Sequence, residues 1–340
     1  AIEPHDSQER FEGLGVRVIR GYAEFASKNS VRVGDETLTA RRIVVTAGAT
    51  PIAPPINGLD AVAYFTNETF FENYDRPDHL IIIGGGPIGV EMAQAHAQLG
   101  IETTLIERFE ILPREISETR EIVRTKLLQD GVTIFENCDV SSIKENGTIK
   151  SIIFGDGQMI EGSHILVATG RRANIQGLNL SEAGIEATDV GIKVDDSLRT
   201  TNRDVYAIGD VIGQEQFTHV SGYHASLVLR SALFGLPAKV KKDHIPRVTY
   251  CDPEVASVGD ISDGVGIETY RVTYDGLDRA IAGVRTDGFA QIWVKNGRVL
   301  GATIVGAQAG ELIHFWSLVI AQNLKLSKAS SVITPYPTLS

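Results

Sequence analysis

The sequence predicts an α/β fold with two similar strand–turn–helix domains, followed by a C-terminal α+β domain. An apolar run leads into a glycine-rich turn and then a helical pattern over residues 80–94. A strand that runs into a turn of small residues occurs twice, at residues 43–51 and 165–174. Beyond residue 242, alternating apolar residues predict several strands around one apolar helix, Glu311 to Asn323.

The composition is that of a globular protein, with 43% hydrophobic and 22% charged residues over 340 positions. This length suffices for two or three domains. The net charge of -11, without a long basic run, argues against a nucleic-acid surface. No apolar stretch is long enough for a membrane span, and we expect no signal peptide. Two cysteines, Cys138 and Cys251, do not suggest a disulfide framework, so we expect a reducing, cytoplasmic compartment.

The most specific motif is G-x-G-x-x-G, formed by Gly84, Gly86 and Gly89 between a predicted strand and a predicted helix. Together with the acid that ends the next apolar run, Glu107, it forms a complete dinucleotide-binding fingerprint. Gly84 allows a sharp turn, Gly86 lets a pyrophosphate approach the backbone, and Gly89 lets the helix pack on the sheet. A glycine-rich surface turn would explain neither the apolar run nor the acid.

The start of this helix, with Pro87 and Ile88, directs unpaired N–H groups at the phosphates. Glu107 can accept hydrogen bonds from the adenosine ribose, and it would repel a 2′-phosphate. One like-charge contact at about 4 Å costs on the order of 4 kcal/mol at an effective dielectric near 20. We therefore expect NADH to be preferred over NADPH, unless Arg108 turns in and neutralises the phosphate.

The remaining elements follow in order along the chain. Residues 16–45 are β-rich, residues 79–170 alternate strand and helix before several short strands, and residues 199–233 give strand, turn and helix. Proline and charge near residues 71–78 and 236–246 indicate domain boundaries.

Two helices of the middle region follow the 3.6-residue period. The first surrounds Val90 to Leu99 after the glycine motif. The second covers Ser117 to Asp130, with Ser117 as its N-cap and Gly131 at its end.

The repeated strand-and-turn pattern indicates two related nucleotide-binding domains, and so a second nucleotide. At this point the sequence resembles the flavoprotein disulfide reductases over nearly its whole length. VVTAGATP and LVATGRRAN are similar to the two A-T-G turns of that family, GGGPIGVE to its NAD(P) loop, TNRDVYAIGD to its second flavin motif, and DPEVASVGD to the start of its dimerisation domain.

The resemblance implies two Rossmann-like nucleotide-binding domains plus a C-terminal α+β dimerisation domain. The expected ranges are 1–72 and 173–243 for the two parts of the FAD-binding domain, 73–172 for the NAD(P)-binding domain and 244–340 for the dimerisation domain. It further implies a homodimer that binds FAD and NAD(P)H.

The resemblance also assigns individual residues. Asp210 corresponds to the aspartate that binds the flavin ribityl chain, and Gly209 allows close approach of the backbone. Glu91 corresponds to the acid at the nicotinamide region. The other residues expected to line the flavin or the NAD are Thr46, Ala47, Gly48, Val140, Gly170, Phe217, Thr218 and His219.

The sequence departs from the family at two places. The first flavin-binding glycine motif and the C-x-x-x-x-C redox pair are missing, so we expect a fragment of a longer enzyme. Near the end, Tyr336 stands where most members have the histidine that acts as acid and base for the thiols. A phenol with a pKa near 10 is only about 0.1% ionised at neutral pH and makes a poor base. Mercuric reductases resemble this sequence in having a tyrosine there.

The expected function is therefore that of an FAD-dependent NAD(P)H oxidoreductase similar to mercuric reductases, with Tyr336 and Glu91 as its catalytic residues. Hydride would pass from NADH to the flavin and on to a dithiol or metal substrate. Two alternatives stay open: an enzyme similar to dihydrolipoamide dehydrogenase, and a nucleotide-binding module without redox activity. Mercuric ion, a disulfide and a quinone all remain candidate electron acceptors. We expect no resident metal ion, no membrane partner and no nucleic acid.

Overall fold

A computed structural model of the protein describes residues 6–340 and divides the chain into two units. The first unit combines the residues up to Thr50 with Arg172–Val240, and the second combines Pro51–Arg171 with Lys241–Ser340. The chain leaves and re-enters the first unit through the short strands Ala49–Pro51 and Arg171–Ala173. Within the described residues, no helix has the length and apolar character needed to cross a membrane.

The first unit contains two parallel strands, in which Val45 lies opposite Ala207. Their apolar side chains pack into a core with the helix that follows, including Val228. An antiparallel three-stranded sheet precedes them in the chain. The helices and strands of this unit are helix Gln8–Gly13, strands Ala23–Ser27, Ser30–Val33, Glu36–Thr39, Ile43–Val45 and Val205–Ala207, and helix Thr218–Ala232.

The second unit begins with a four-stranded parallel sheet in the spatial order His164–Val167, His79–Ile83, Glu102–Ile106, Val132–Phe135. Leu80, Ile81 and Ile82 in the strand second from one edge are fully buried. An uninterrupted apolar run of this kind is what a parallel sheet covered on both faces requires. The helices Pro87–Gln98 and Ser117–Gln129 connect its strands.

The second helix differs from its predicted start by one residue. Ile116, with an extended backbone, occupies the N-cap position, and Ser117 is already helical. The predicted end is confirmed, because Asp130 is the C-cap and Gly131 follows with φ +93°. A left-handed residue after the C-cap is the usual helix ending, and glycine adopts it without strain.

Two antiparallel sheets complete the second unit. A three-stranded sheet precedes the last parallel strand and contains Val140–Asn146, Ile149–Phe154 and Met159–Gly162. The C-terminal part is a five-stranded sheet in the order Pro246–Thr249, Glu254–Gly259, Arg298–Gly306, Phe289–Lys295, Ile267–Thr273. Its helices are Asp278–Ala282, Ala309–Ala321 and Leu326–Ala329.

One apolar core joins the parallel sheet and the C-terminal sheet inside the second unit. Val90 and Leu105 contribute to it from the α/β part, and Val255, Phe289 and Val305 contribute from the C-terminal sheet. All five side chains are at most 1% exposed. The C-terminal sheet is therefore packed on the α/β part of this unit, which fixes the segments near residue 250 against the helix that follows the glycine motif.

Candidate functional site

The segment Gly84–Gly89, called the glycine loop below, leaves its strand at the carboxyl edge of the parallel sheet. Gly84 has φ +115°, and a Cβ on it would lie 2.5 Å from the carbonyl oxygen of Ala168. A Cβ on Gly89 would lie 1.8 Å from the carbonyl oxygen of Gly84. The protein's own packing therefore requires glycine at both positions, whether or not a ligand is bound.

Gly86 is under no such constraint. Its φ of -72° suits any residue, and, its chain neighbours apart, no atom of the described residues lies within 4 Å of where a Cβ would be. It is the N-cap of helix Pro87–Gln98, with Pro87 in the first turn beside the half-buried Ile88 and no acidic residue there. A side chain at position 86 would fill this open space next to the helix N-terminus, which favours anions. The loop thus fits the diphosphate of a dinucleotide.

Glu107 follows the second parallel strand and is tied to the glycine loop. Its Oε2 accepts a hydrogen bond from Gly85 N at 2.5 Å, and its Oε1 accepts one from Phe109 N at 3.0 Å. Each carboxylate oxygen keeps a second acceptor site, so ribose hydroxyls can still bind. Both amides need an acceptor, so the carboxylate also holds the loop in shape.

Arg108 is already engaged elsewhere. Its Nε lies 2.9 Å from Oδ1 of Asp139, and its guanidinium lies over the ring of Phe109 at 5.5 Å from the centroid. The Arg108 and Asp139 side chains are about two-thirds exposed. An exposed pair of this kind contributes little to stability, about 0.2–1 kcal/mol.

Gly170 and Val140 belong to the same unit as the glycine loop. The strand before Gly170 is parallel to the strand before Gly84, and Ala168 N donates to Ile83 O at 2.8 Å, so both turns leave the same edge of the sheet. Gly170 has φ +139° and, like Gly86, open space where its Cβ would be. Val140 is half-buried and begins a strand of the neighbouring antiparallel sheet.

The first unit repeats this arrangement at the carboxyl edge of its own parallel pair. Ile208 N donates to Val45 O at 3.1 Å, which places the turn with Ala47 and Gly48 beside the turn with Gly209 and Asp210. Gly48 has φ +71° and open space at its Cβ position. Ligands of parallel sheets bind at such an edge. The first unit therefore brings four of the predicted flavin residues together.

Two polar residues brace these turns. Asn174 Nδ2 donates to Ala47 O at 3.0 Å, and its backbone N donates to Gly48 O at 3.0 Å. The buried His224 accepts a hydrogen bond from Gly209 N through Nδ1 at 3.3 Å. Sequence reasoning did not single out Asn174, whose only signal was its place at the end of the repeated turn.

Phe217, Thr218 and His219 lie at the start of helix Thr218–Ala232, with Phe217 as the N-cap. The Phe217 ring stacks on the His219 imidazole with 5.2 Å between centroids and 15° between planes. The first turn of the helix holds no acidic residue. A helix start of this kind can stabilise negative charge on a bound group.

Glu91 lies in the second turn of helix Pro87–Gln98, and its Oε1 accepts a hydrogen bond from Tyr250 N at 2.8 Å. Burial raises the pKa of Glu91 above its ordinary value, and the hydrogen bond from Tyr250 acts in the opposite direction. A carboxyl group near the glycine loop with a perturbed pKa is the kind of group that functional sites contain.

Tyr336 is 81% exposed, and its hydroxyl donates a hydrogen bond to Asp278 Oδ2 at 2.7 Å. This hydrogen bond and the nearby negative charge of Asp278 raise the pKa of Tyr336. A smaller fraction of Tyr336 than of a free tyrosine is therefore ionised at neutral pH, so little phenolate is present to take up a proton. Within residues 6–340 there is no group of three or more His, Cys, Asp or Glu side chains that could hold a metal ion.

Fold and site together define a protein with two nucleotide-type turns, each at the edge of a parallel sheet, and a separate C-terminal antiparallel sheet. Residues 6–225 match the model of the pyridine nucleotide-disulphide oxidoreductases, and residues 245–340 match the dimerisation domain of the same proteins. The chain belongs to the pyridine nucleotide-disulphide oxidoreductase family, whose members are flavin-dependent enzymes that contain FAD and use NAD(P)H. The resemblance and the fold class predicted from the sequence are confirmed.

Individual relatives agree with this assignment. A mercuric reductase of Bacillus cereus is 34% identical over 97% of this chain, and a dihydrolipoyl dehydrogenase of Bacillus subtilis is 32% identical over 96%. The chain spans 54% of the length of the first and 73% of the second. The Cu(II) complex of an HOCl-induced flavoprotein disulfide reductase from Escherichia coli superposes with a TM-score of 0.90 at 28% identity, covering 98% of this chain and 80% of that one.

Proposed function

We propose that this chain provides the nucleotide-binding and dimerisation parts of an FAD-dependent NADH oxidoreductase that is similar to mercuric reductases. The observation that supports it best is the pair of turns at the carboxyl edges of parallel strands, one in each unit. Gly86 in one turn and Gly48 in the other face open space that a Cβ would occupy. Two separate cradles suit two nucleotides, as flavin-dependent hydride transfer requires.

In this proposal the residues of each turn hold one cofactor. Gly86 and the start of the following helix bind the NADH diphosphate, and Glu107 binds its ribose. When bound, the nicotinamide supplies a hydride and the flavin accepts it. Glu91 contacts the nicotinamide region, where its carboxylate accepts hydrogen bonds.

The flavin residues have corresponding tasks. Ala47 and Gly48 line the nucleotide end of FAD, while Gly209 and Asp210 bind the ribityl chain. The helix that begins at Thr218 stabilises negative charge on the reduced flavin through its dipole. The neighbouring Phe217 and His219, stacked on each other, form the surface beside the flavin ring.

For the full-length protein we propose mercuric ion as the substrate. Tyr336 in place of a histidine favours this substrate. Because its pKa is raised, the phenol is protonated at neutral pH and cannot accept the proton of a thiol. Several relatives are named mercuric reductases. We also propose a cytoplasmic homodimer with the four domain ranges predicted above, in which the region of Tyr336 completes the partner's site.

A spectroscopic experiment tests the flavin part of the proposal. The full-length protein as encoded is expected to be yellow and to lose its flavin absorption when NADH is added without oxygen. A colourless chain that binds NAD⁺ would instead favour the redox-inactive module. A chain that binds neither flavin nor NAD⁺ would contradict the proposal.

The substrate is tested on the encoded full-length protein by comparing NADH oxidation with mercuric ion, oxidised lipoamide and a quinone. The proposal expects the mercuric ion rate to exceed the other two. A higher rate with lipoamide would support the alternative that resembles dihydrolipoamide dehydrogenase. Light scattering on the same sample tests the dimer, and a stable monomer would refute it.

A further inference from the structure

Gln94 is a buried polar residue one helical turn beyond Glu91, with 4% of its surface exposed. Its Nε2 donates to Asp130 Oδ2 at 2.8 Å and to the carbonyl oxygen of Asp252 at 2.7 Å. Its Oε1 accepts a hydrogen bond from Asp252 N at 2.6 Å. Both amide hydrogens and the carbonyl oxygen are thus used, and two of the three bonds hold the backbone of one residue in the C-terminal part of the unit.

The same helix face makes a second contact with that segment. Residues three apart in a helix share a face, and Glu91 and Gln94 have this spacing. The two backbone amides that face it belong to Tyr250 and Asp252, in the segment between strands Pro246–Thr249 and Glu254–Gly259. Tyr250 N donates to Glu91 at 2.8 Å while Asp252 N donates to Gln94 at 2.6 Å. Two side chains of one helix face therefore accept hydrogen bonds from two backbone amides of the segment Tyr250–Asp252.

The other end of Gln94 is equally fixed. Asp130 also accepts hydrogen bonds from Lys126 Nζ at 2.7 Å and from Gln98 Nε2 at 3.1 Å. Burial alone would raise the pKa of Asp130, but these hydrogen bonds outweigh it and hold the pKa below the ordinary value. The carboxylate is thus ionised at neutral pH, and it is a strong acceptor for the Gln94 amide.

We propose that Gln94 is a positioning residue for Glu91: it fixes the segment whose Tyr250 amide orients the Glu91 carboxylate toward the nicotinamide end of a bound dinucleotide. This inference rests on the nucleotide-binding function proposed above. Without Gln94 the amide and the carbonyl group of Asp252 both lose their hydrogen bonds to this side chain. The Tyr250 amide, two residues earlier, is then no longer held opposite Glu91. Glu91 itself is half-buried and needs that amide to offset the desolvation of its charge.

The test compares the binding of NAD⁺ with that of ADP-ribose, which has the diphosphate and both riboses but no nicotinamide. In Gln94→Met, a substitution that keeps the volume, NAD⁺ affinity measured by calorimetry should fall about tenfold, the usual effect of losing one hydrogen bond to a charged group. ADP-ribose affinity should change by less than about twofold, because the glycine loop and Glu107 are untouched. An equal loss for both ligands would show general damage to the helix and overturn the inference.

Gln98→Met is the matched control, since Gln98 lies on the same helix and donates to the same Asp130, whereas the hydrogen bonds to the Asp252 backbone come from Gln94. It should leave both affinities unchanged. A double-mutant cycle with Glu91→Gln then tests the mechanism, because Gln94→Met should change NAD⁺ affinity by less than about twofold in that background. A tenfold loss in both backgrounds would show that Gln94 does not act through Glu91. If the unmodified chain binds neither ligand, the proposed function itself fails.

Discussion

The carboxylate of Glu107 sets a quantitative expectation about coenzyme choice. A 2′-phosphate on the adenosine ribose would lie about 4 Å from it, where two like charges repel by about 4 kcal/mol at an effective dielectric of about 20. Glu107 is half-buried, so water and salt screen part of this repulsion. We expect about 2–3 kcal/mol, which makes NADP⁺ binding about 30- to 150-fold weaker than NAD⁺ binding.

Glu107→Gln removes the charge and keeps the volume. The amide has only one oxygen, so either Gly85 N or Phe109 N loses the acceptor that it has now. An unsatisfied amide costs about 1–3 kcal/mol, so NAD⁺ binding should also weaken, by about tenfold. The preference for NAD⁺ over NADP⁺ should fall to about threefold or less once the repulsion is gone.

Asp139→Asn is the companion variant, because it releases Arg108 from its ion pair without touching the glycine loop. Breaking an exposed pair of this kind costs about 0.2–1 kcal/mol, so NADP⁺ affinity should rise by about 1.5- to 5-fold while NAD⁺ affinity stays the same. Titration calorimetry with both coenzymes at constant low ionic strength measures all of these affinities. A wild-type chain that binds NADP⁺ as tightly as NAD⁺ would refute the electrostatic reasoning.

Three further predictions follow from the same contacts. Gly89→Ala should lower the melting temperature by several degrees, because the new Cβ would lie 1.8 Å from the carbonyl oxygen of Gly84. Gly86→Ala should leave the melting temperature unchanged and weaken NAD⁺ binding at least tenfold. Equal melting temperatures for the two variants would contradict this prediction. Burial alone would raise the pKa of Glu136, but hydrogen bonds, chiefly from Arg124, hold this pKa below the ordinary value. The ionised Glu136 therefore stabilises the folded state at neutral pH, and this stabilisation is lost as the pH falls through the folded pKa. In urea titrations Glu136→Gln should therefore cost about 1–3 kcal/mol near pH 7 and progressively less as the pH falls through the folded pKa of Glu136, and a loss independent of pH would count against the ion pair. Tyr336→Phe should leave the melting temperature unchanged, since the side chain is 81% exposed. The same substitution should lower the rate of mercuric-ion-dependent NADH oxidation by the full-length protein at least tenfold. An unchanged rate would remove Tyr336 from the proposed mechanism.

The strand, glycine loop and helix of the proposed nucleotide site could be predicted because their residues are consecutive. A buried strand, the glycine loop and a helix follow each other within residues 79–98, so the sequence pattern alone predicts these elements without any knowledge of the fold. Glu107 could be placed beside the loop as well, because it ends the next parallel strand. The repeated turn at residues 43–51 and 165–174 proved equally reliable, since both copies leave the edge of a parallel pair.

The braces of the site could not be predicted, because they join distant segments through single hydrogen bonds. Asn174 holds Ala47 across more than one hundred residues, and Gln94 holds Asp252 across a still longer separation. Such contacts leave no periodic pattern, and Gln94 reads as an ordinary residue of an amphipathic helix. The one-residue error at Ser117 has a related cause, because the residue before the helix adopts its extended backbone without any side-chain cap.

The surroundings of each glycine show whether the fold requires it or whether a ligand would. Gly84 and Gly89 have no room for a Cβ inside the protein, so selection for stability alone would keep them. Gly48, Gly86 and Gly170 face open space instead, and stability alone gives Gly86, with its ordinary φ, no reason to be glycine. Glycine at position 86 lowers helix-start stability relative to a capping Ser or Asp, so its presence indicates a ligand that must reach the backbone. The strongest sign of a nucleotide here is therefore the glycine that the fold does not need.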